Sequence, residues 1–311
     1  MPKEEDNRTE VFVDALAEIM SQTFNEPALR RTCEEFMNPA PAKLAKSKDD
    51  KKKIQDRMNE INRQLGGPPN LIFLANGSKP KHYDTYPAAA IDQILCSFSR
   101  SRVLVSRAHM CFVGATAVKK NPEFWKPLLS VEQSKTYYDL AIEQFWEHAE
   151  NCFIRMASLW DRVGQLLDFI FFNIRQYERD GFTRVFERIK INIGPMMDLK
   201  SQPFWSSLNE YVSSEREDGL KWLLRRRNLL VHSMHLYERS EDSDEDPLFV
   251  AEYNHLEENI KKKLKLGTAL MELDHIHTHL RKFVECFPNV LDLCEFGIQS
   301  GKDRRSRFPA I

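Results

Sequence analysis

Residues 138–170 read YDLAIEQFWEHAENCFIRMASLWDRVGQLLDFI. Apolar side chains recur in this stretch in alternating steps of four and three residues. A seven-residue repeat predicts one long helix, here over 134–179, with a continuous apolar stripe. The stripe, called the 138–170 seam below, consists of Tyr138, Ile142, Phe145, Ala149, Cys152, Met156, Leu159, Val163, Leu166 and Ile170. The seam must pack on other helices of the chain or on a second copy, and packing within the chain is the simpler expectation.

Glycine content limits the fold classes that fit the rest of the chain. The 311 residues include only 11 glycines, about half of the usual share of roughly 7%. Glycine-rich phosphate loops and the many tight turns of an all-β fold are therefore not expected. With 42% apolar residues, the chain can bury a sizeable core.

Hydrophobic periodicity and turn residues predict further helices on both sides of the long one. Together they indicate an all-α fold, an up-and-down helical bundle over 131–311 with a mostly helical N-terminal region over 1–130 of unknown role. The predicted helices lie at 8–37 (two helices), 42–64, 88–117, 182–191, from 203, at 215–237, and at 255–299 with an interruption near Pro288, and a loop is predicted at 66–87.

Charge and cysteine usage bear on location and partners. Lys and Arg number 45 against 46 Asp and Glu, so the chain has no overall basic field for coating nucleic acid. No apolar run reaches the roughly 18 residues of a membrane helix, and no signal-peptide core follows the charged N-terminus. The six cysteines form no C-x-x-C pair. These features predict reduced thiols in a cytoplasmic protein without a membrane partner.

Common catalytic and metal-binding motifs are absent from the sequence. It contains no phosphate-binding loop, dinucleotide fingerprint, H-E-x-x-H or G-x-S-x-G string. The acidic loop at 238–247 places Pro247 where a calcium loop needs glycine. His275, His277 and His279 form H-x-H-x-H, but only the outer two share a helix face, so a third metal ligand would have to come from elsewhere. We therefore expect no metal and no cofactor, and interpret these histidines as surface or groove residues.

The segment KWLLRRRNLLVH, residues 221–232, combines four basic residues with no acidic one. Asn228 and His232 are four residues apart and share a helix face, and the long side chain of Arg227 can reach the same side. Imidazole can move the protons of RNA cleavage, and guanidinium can bind the scissile phosphate. The residues themselves leave a plainer alternative, in which the arginines pair with surface carboxylates and His232 only lines a groove.

The string Arg227-Asn228-x-x-x-His232, late in an all-helical chain and behind a long apolar helix, resembles the HEPN superfamily. Ribonuclease members of that family carry Arg and His separated by four to six residues, usually with a polar residue after the Arg. Residues 159–167, LWDRVGQLL, also look like the long helix that precedes the motif in larger HEPN proteins. The resemblance covers roughly residues 134–300 and leaves 1–130 unassigned.

The resemblance implies a dimer in which two motif helices face each other and cut RNA without metal, leaving 2′,3′-cyclic phosphate ends. RNA, a second copy of the chain and an inhibitor protein are the implied partners, and a toxin-like or defence effector is the implied role. The catalytic residues would be Arg227, Asn228 and His232, with Asp161 and Arg162 in support and Lys221, Arg225 and Arg226 binding RNA. For Asp161, a structural ion pair within the bundle is the alternative role.

Two other functions remain open from the sequence. HEPN-like proteins without catalysis would use the same fold as an RNA-, nucleotide- or protein-binding module. A purely structural dimer, held together through the 138–170 seam, is the other alternative.

Overall fold

A computed structural model of the chain describes residues 44, 47–65, 86–120, 122, 126, 129–172, 181–193, 198–232, 235–236, 254–255, 257–258, 262 and 266–307. The two helices predicted at 8–37, most of the loop predicted at 66–87 and the acidic loop at 238–247 lie outside these residues. Within them the secondary structure is helical and no strand occurs. The all-α prediction is thereby confirmed.

The described helices are α1 (Lys48–Leu65), α2 (Tyr86–Lys120), α3 (Val131–Phe172), α4 (Phe182–Asn192), α5 (Pro203–Ser213), α6 (Leu220–His232) and α7 (Ala269–Arg307), with a 3₁₀ turn at Leu199–Ser201. They form a helical bundle in which α3 is central, since α2, α4, α6 and α7 all pack against it. None of the described helices has the length and apolar character of a membrane span.

The 138–170 seam lies in the core of the single chain. Every seam residue from Ile142 to Ile170 is buried, and Tyr138 packs half-buried at its end. The chain's own helices therefore cover the stripe, as the simpler expectation held. A dimer scaffold built on the seam loses its basis, because no apolar face remains there for a second copy.

Helices from both sides of residue 130 contribute to the same core. Helix α1 buries Met58 and Ile61 in it, and α1 and α2 both pack on α7. The Arg57 guanidinium also donates to Asp292 at 2.5 Å and to Glu295 at 2.7 Å, both on α7. The boundary at 130/131 stays a prediction, but the described part of the N-terminal region rests directly on the bundle.

Helix α6 begins at Leu220 and not at 215, because a tight turn precedes it. The Gly219 amide donates to the Arg216 carbonyl at 2.8 Å. A Cβ at Gly219 would collide with the Ser214 carbonyl oxygen, so only glycine fits this position. The turn fixes where α6 starts and therefore where each of its residues points.

Helix α7 also differs from its prediction at two points. It begins at Ala269, where the Thr268 hydroxyl accepts the Met271 amide at 3.4 Å in the manner of an N-cap. It continues through Pro288, although proline removes one helical hydrogen bond. Phe287 and Val290 on either side of the proline are buried, so packing keeps the two halves in one helix.

Candidate functional site

Helix α6 distributes three consecutive arginines among three environments. Each residue of an α-helix turns about 100° from the last, so Arg225, Arg226 and Arg227 cannot share a face. The buried face of α6 carries Leu220, Trp222, Leu223, Arg226, Leu229 and Leu230. Asn228 and His232 lie on the exposed side of α6, and Arg227 is half-buried between the exposed side and the buried face.

Arg226 is fully buried in an ion pair. Its guanidinium lies 2.9 Å from Glu272 of α7, and the two side chains are 1% and 0% exposed. The same guanidinium lies 4.8 Å from the ring centre of Trp222 and 5.9 Å from that of Phe153 on α3. Arg226 was predicted to bind RNA, but in this position it serves the contact between α3, α6 and α7 and does not reach a ligand at the surface.

Glu272 joins two parts of the chain through one oxygen. Its Oε1 accepts from Arg226 and from the Gly267 amide, each at 2.9 Å, while its Oε2 has no hydrogen-bond partner among the described residues. Burial lowers the pKa of Arg226, and the charge of Glu272 opposes that shift. Because guanidinium keeps its proton in proteins, the contact is a true ion pair in the core.

Of the histidines of α7, His279 is buried, whereas His275 and His277 are half-buried, so the interpretation as surface or groove residues is wrong for His279 alone. His279 is 1% exposed and stacks on Trp222 with 5.1 Å between ring centres, and the His275 ring lies 4.7 Å from Trp222. Burial lowers the pKa of His279 to about 3. His277 turns to the other side, where it meets His109 of α2.

Trp222, Arg226, Glu272 and His279, which we call the buried cluster, were largely missed at the sequence level. A signal for two of them exists, since α7 repeats every seven residues through Glu272, Ile276, His279, Phe283, Cys286 and Val290. All six residues are buried. The repeat places the polar Glu272 and His279 on the buried face, and buried polar groups need partners.

Arg227, Asn228 and His232 are together called the motif face below; Asn228 and His232 lie on the outer side of α6, and Arg227 lies at the border between its outer and inner sides. The Arg227 Nε is buried and has no hydrogen-bond partner among the described residues. No carboxylate in the described part of the chain forms an ion pair with Arg227, whereas Arg226 has Glu272. Asn228 and His232 are both exposed, in agreement with the shared face expected from their spacing.

The carboxyl group of Asp161 on α3 lies within electrostatic range of the Arg227 guanidinium. Its Oδ1 accepts the Phe182 amide at 3.3 Å, at the start of α4. Burial raises the pKa of Asp161, while the Phe182 hydrogen bond and the charge of Arg227 lower it. The structure thus brings Asp161 close to the motif face, although its direct bond is to backbone.

The remaining predicted residues make other contacts. Arg162 donates to the Gln93 side chain on α2 at 2.6 Å, so it supports the α2–α3 contact. Lys221 and Arg225 each lie 3.3 Å from Glu215 Oε1 at the surface. These two cations remain accessible, but a carboxylate already neutralises part of their charge.

The described residues contain no group of three or more His, Cys, Asp or Glu side chains placed to hold a metal ion.

A crevice between α5 and α7 is lined by Tyr211, Asp218 and Lys282, among others, and by none of the residues predicted to act on RNA. Of the motif face, Asn228 and His232 are exposed and Arg227 is half-buried. No protein-family model, no curated protein and no solved structure matches this chain.

Proposed function

We propose that this chain is a metal-independent endoribonuclease that uses the motif face of α6, in line with its resemblance to HEPN ribonucleases. One observation carries the proposal. Of the three consecutive arginines, Arg225 and Arg226 are paired with Glu215 and Glu272, whereas no described carboxylate pairs with Arg227. An arginine that forms no ion pair with a described carboxylate, on the same helix as an exposed imidazole, can bind a phosphate.

The chemistry needs a base, an acid and a phosphate clamp. A neutral imidazole takes the proton of the 2′-hydroxyl, the 2′-oxygen attacks phosphorus, and the bond to the 5′-oxygen breaks as that oxygen receives a proton. The products are a 2′,3′-cyclic phosphate and a 5′-hydroxyl. Arg227 binds the phosphate oxygens as charge builds on them, and Asn228 orients the imidazole or an oxygen.

One motif face supplies a single histidine, so the second proton transfer calls for a second copy of the chain. Two α6 helices facing each other across a two-fold axis would bring together two copies of His232 and two of Arg227. Val231, which is 49% exposed beside His232, offers apolar surface for such a contact. Lys221 and Arg225 would extend the basic surface toward the RNA strand, and Asp161 would hold Arg227 in place.

The test is cleavage of a labelled single-stranded RNA by the full chain in the presence of EDTA. We expect the wild type to leave 2′,3′-cyclic phosphate ends and His232→Ala to lose about 100-fold to 10,000-fold in rate. Arg227→Ala should lose about 100-fold through the phosphate contact. His235→Ala is the matched control, because His235 is 90% exposed three residues further on.

Two results would contradict the enzymatic proposal. One is a wild-type chain that leaves the RNA intact at any concentration. The other is equal cleavage by wild type and His232→Ala, which would point to a contaminating nuclease.

A non-catalytic RNA-binding module is the second candidate, and the exposure of Asn228 and His232 on the motif face favours it. Binding needs only Arg227 and neighbouring cations, and it does not need a second histidine. Fluorescence anisotropy with a labelled RNA distinguishes the two functions. A binding module shows weaker affinity for Arg227→Ala and unchanged affinity for His232→Ala, without turnover in either protein.

A further inference from the structure

A polar crevice opens between α5, α7 and the turn that precedes α6. Its volume is about 170 Å³, and a cavity of roughly 150 Å³ holds benzene, a molecule of about six heavy atoms. The crevice is therefore large enough for a small ligand. None of Arg227, Asn228 and His232 lines it, so an inference about the crevice does not rest on the proposed function.

The Tyr211 hydroxyl, at the wall of this crevice, is a buried donor without an acceptor. Tyr211 is 7% exposed, and its hydroxyl oxygen has no hydrogen-bond partner among the described residues. Burial raises the pKa of Tyr211 well above its ordinary value, and the Trp160 indole opposes that rise as a donor. An indole N–H only donates, so the proton of the hydroxyl still has no acceptor. Because buried polar groups are nearly always hydrogen-bonded, this proton calls for an acceptor that the described residues do not supply.

The neighbours of the hydroxyl place it toward the crevice. Interaction with Cys286 and with Asp218 also raises the pKa of Tyr211, so both groups lie within electrostatic range of the hydroxyl. Both residues line the crevice as well. An acceptor bound in the crevice is thus within reach of the Tyr211 proton.

Charged side chains surround the crevice without closing on one another. Arg216 Nε lies 3.4 Å from Asp218, and Arg216 Nη2 lies 3.8 Å from Glu210. Lys282 Nζ lies 3.4 Å from Asp218 and 3.4 Å from Glu285. All four distances exceed the roughly 2.7–2.9 Å of a charge-assisted hydrogen bond. These cations and carboxylates therefore keep hydrogen-bonding capacity for a ligand.

The lining also selects the charge of that ligand. Two cations, Arg216 and Lys282, stand among three carboxylates, those of Glu210, Asp218 and Glu285. The excess of negative charge disfavours a simple anion and favours a ligand that carries an ammonium group. A simple cation, however, offers no acceptor to the Tyr211 proton. A molecule that carries both a carboxylate and an ammonium group meets both requirements.

We propose that this crevice binds a small zwitterion of about the size of alanine. The Tyr211 hydroxyl and the Lys282 ammonium hold its carboxylate, and Asp218 and Glu285 hold its ammonium group. Alanine, with about six heavy atoms, matches the volume of the crevice. The bound molecule joins α5 and α7 to the turn that fixes the start of α6.

The experiment is equilibrium dialysis of the full chain against radiolabelled L-alanine, with the melting temperature as a second measurement. We expect saturable binding of one alanine per chain and a rise in melting temperature that saturates with it. Unlabelled propionate, which lacks the ammonium group, and ethylamine, which lacks the carboxylate, should compete only weakly.

Two substitutions test the assigned contacts. Tyr211→Phe keeps the ring and removes only the hydroxyl, and Lys282→Gln keeps a polar side chain, so without alanine both should melt close to wild type. Each should bind alanine at least about tenfold more weakly, as expected for a lost hydrogen bond to a charged group. Lys190→Gln is the matched control, because Lys190 forms a similar surface pair with Glu187 at 3.3 Å. Tyr138→Phe controls for the loss of a tyrosine hydroxyl outside the crevice.

The proposal is overturned if the wild type binds no alanine, if either crevice variant keeps full affinity, or if propionate or ethylamine competes as well as alanine. It is also overturned if alanine stabilises all variants equally and without saturation, because that is the general effect of an excluded osmolyte.

Discussion

The two sides of α6 place the same kind of side chain in opposite settings. On the inner side Arg226 is buried against Glu272, with its guanidinium over the Trp222 ring. On the outer side its neighbour Arg227 has no carboxylate partner among the described residues. The comparison shows that a run of arginines is not one basic patch. The turn of the helix buries one arginine in an ion pair and leaves the next without one among the described residues.

The largest expected loss in the free energy of unfolding comes from the inner side of α6. Glu272→Ala removes the partner of Arg226 and leaves a buried guanidinium without a counter-charge, which should cost about 3–5 kcal/mol in free energy of unfolding. The variant also removes the acceptor of the Gly267 amide. Urea unfolding followed by tryptophan fluorescence measures the loss.

Glu215→Ala is the matched control for that variant. Glu215 holds Lys221 and Arg225 at the surface, where such ion pairs are worth about 0–1 kcal/mol. A similar loss in both variants would contradict the distinction between the inner and outer arginines, since burial of the ion pair is its physical basis.

A smaller loss in the free energy of unfolding is expected where α3 packs against α4, close to Asp161. Gly164 lies three residues after Asp161, and a Cβ at Gly164 would come within 2.7 Å of the Phe182 backbone. Gly164→Ala must push α4 away from α3, and overpacking of this kind costs about 1–3 kcal/mol. The measurement is again the free energy of unfolding in urea.

Gly114→Ala controls for the change in helix propensity. The Cβ there would meet only the Tyr137 hydroxyl, at 3.0 Å, the far end of a side chain that can move. We expect no loss, or a gain of up to about 1 kcal/mol from the better helix former. If Gly164→Ala were equally harmless, the contact between α3 and α4 would not fix the position of Asp161.

Much of the fold follows from the sequence because periodicity reports burial directly. The seven-residue repeat of the 138–170 seam locates α3 and its buried face without knowledge of any partner. The first residues of α6 and α7 are harder to predict from the sequence, because Gly219 and Thr268 act through contacts with specific neighbours. Sequence spacing gives the face of a residue and not the group opposite to it.

The same limit applies to the candidate site. The shared exposed face of Asn228 and His232 follows from helix geometry. The different environments of Arg226 and Arg227 do not follow from helix geometry, since they depend on the position of Glu272 on α7. Charge counts over residues 221–232 predict a basic surface, whereas burial removes one of its four cations.

The smallest expected loss of stability comes from Asp161, which accepts the Phe182 amide and also places a charge beside Arg227. Asp161→Ala removes the acceptor of the Phe182 amide and the charge beside Arg227, and should cost about 1 kcal/mol, as for the loss of a helix cap. Asp161→Asn keeps an acceptor oxygen and removes only the charge. The exposed Asp139→Ala on the same helix should stay within about 0.5 kcal/mol.

The pH dependence of unfolding isolates the charge of Asp161. Burial holds the pKa of this carboxyl above its ordinary value, so the native state binds its proton more tightly than the unfolded chain. The contribution of Asp161 to stability therefore rises as pH falls through the carboxyl range and declines as pH rises. Asp161→Asn should lack this component, so its stability relative to wild type should increase as pH rises through the carboxyl range. A constant difference across that range would mean that the charge of Asp161 is not buried beside Arg227.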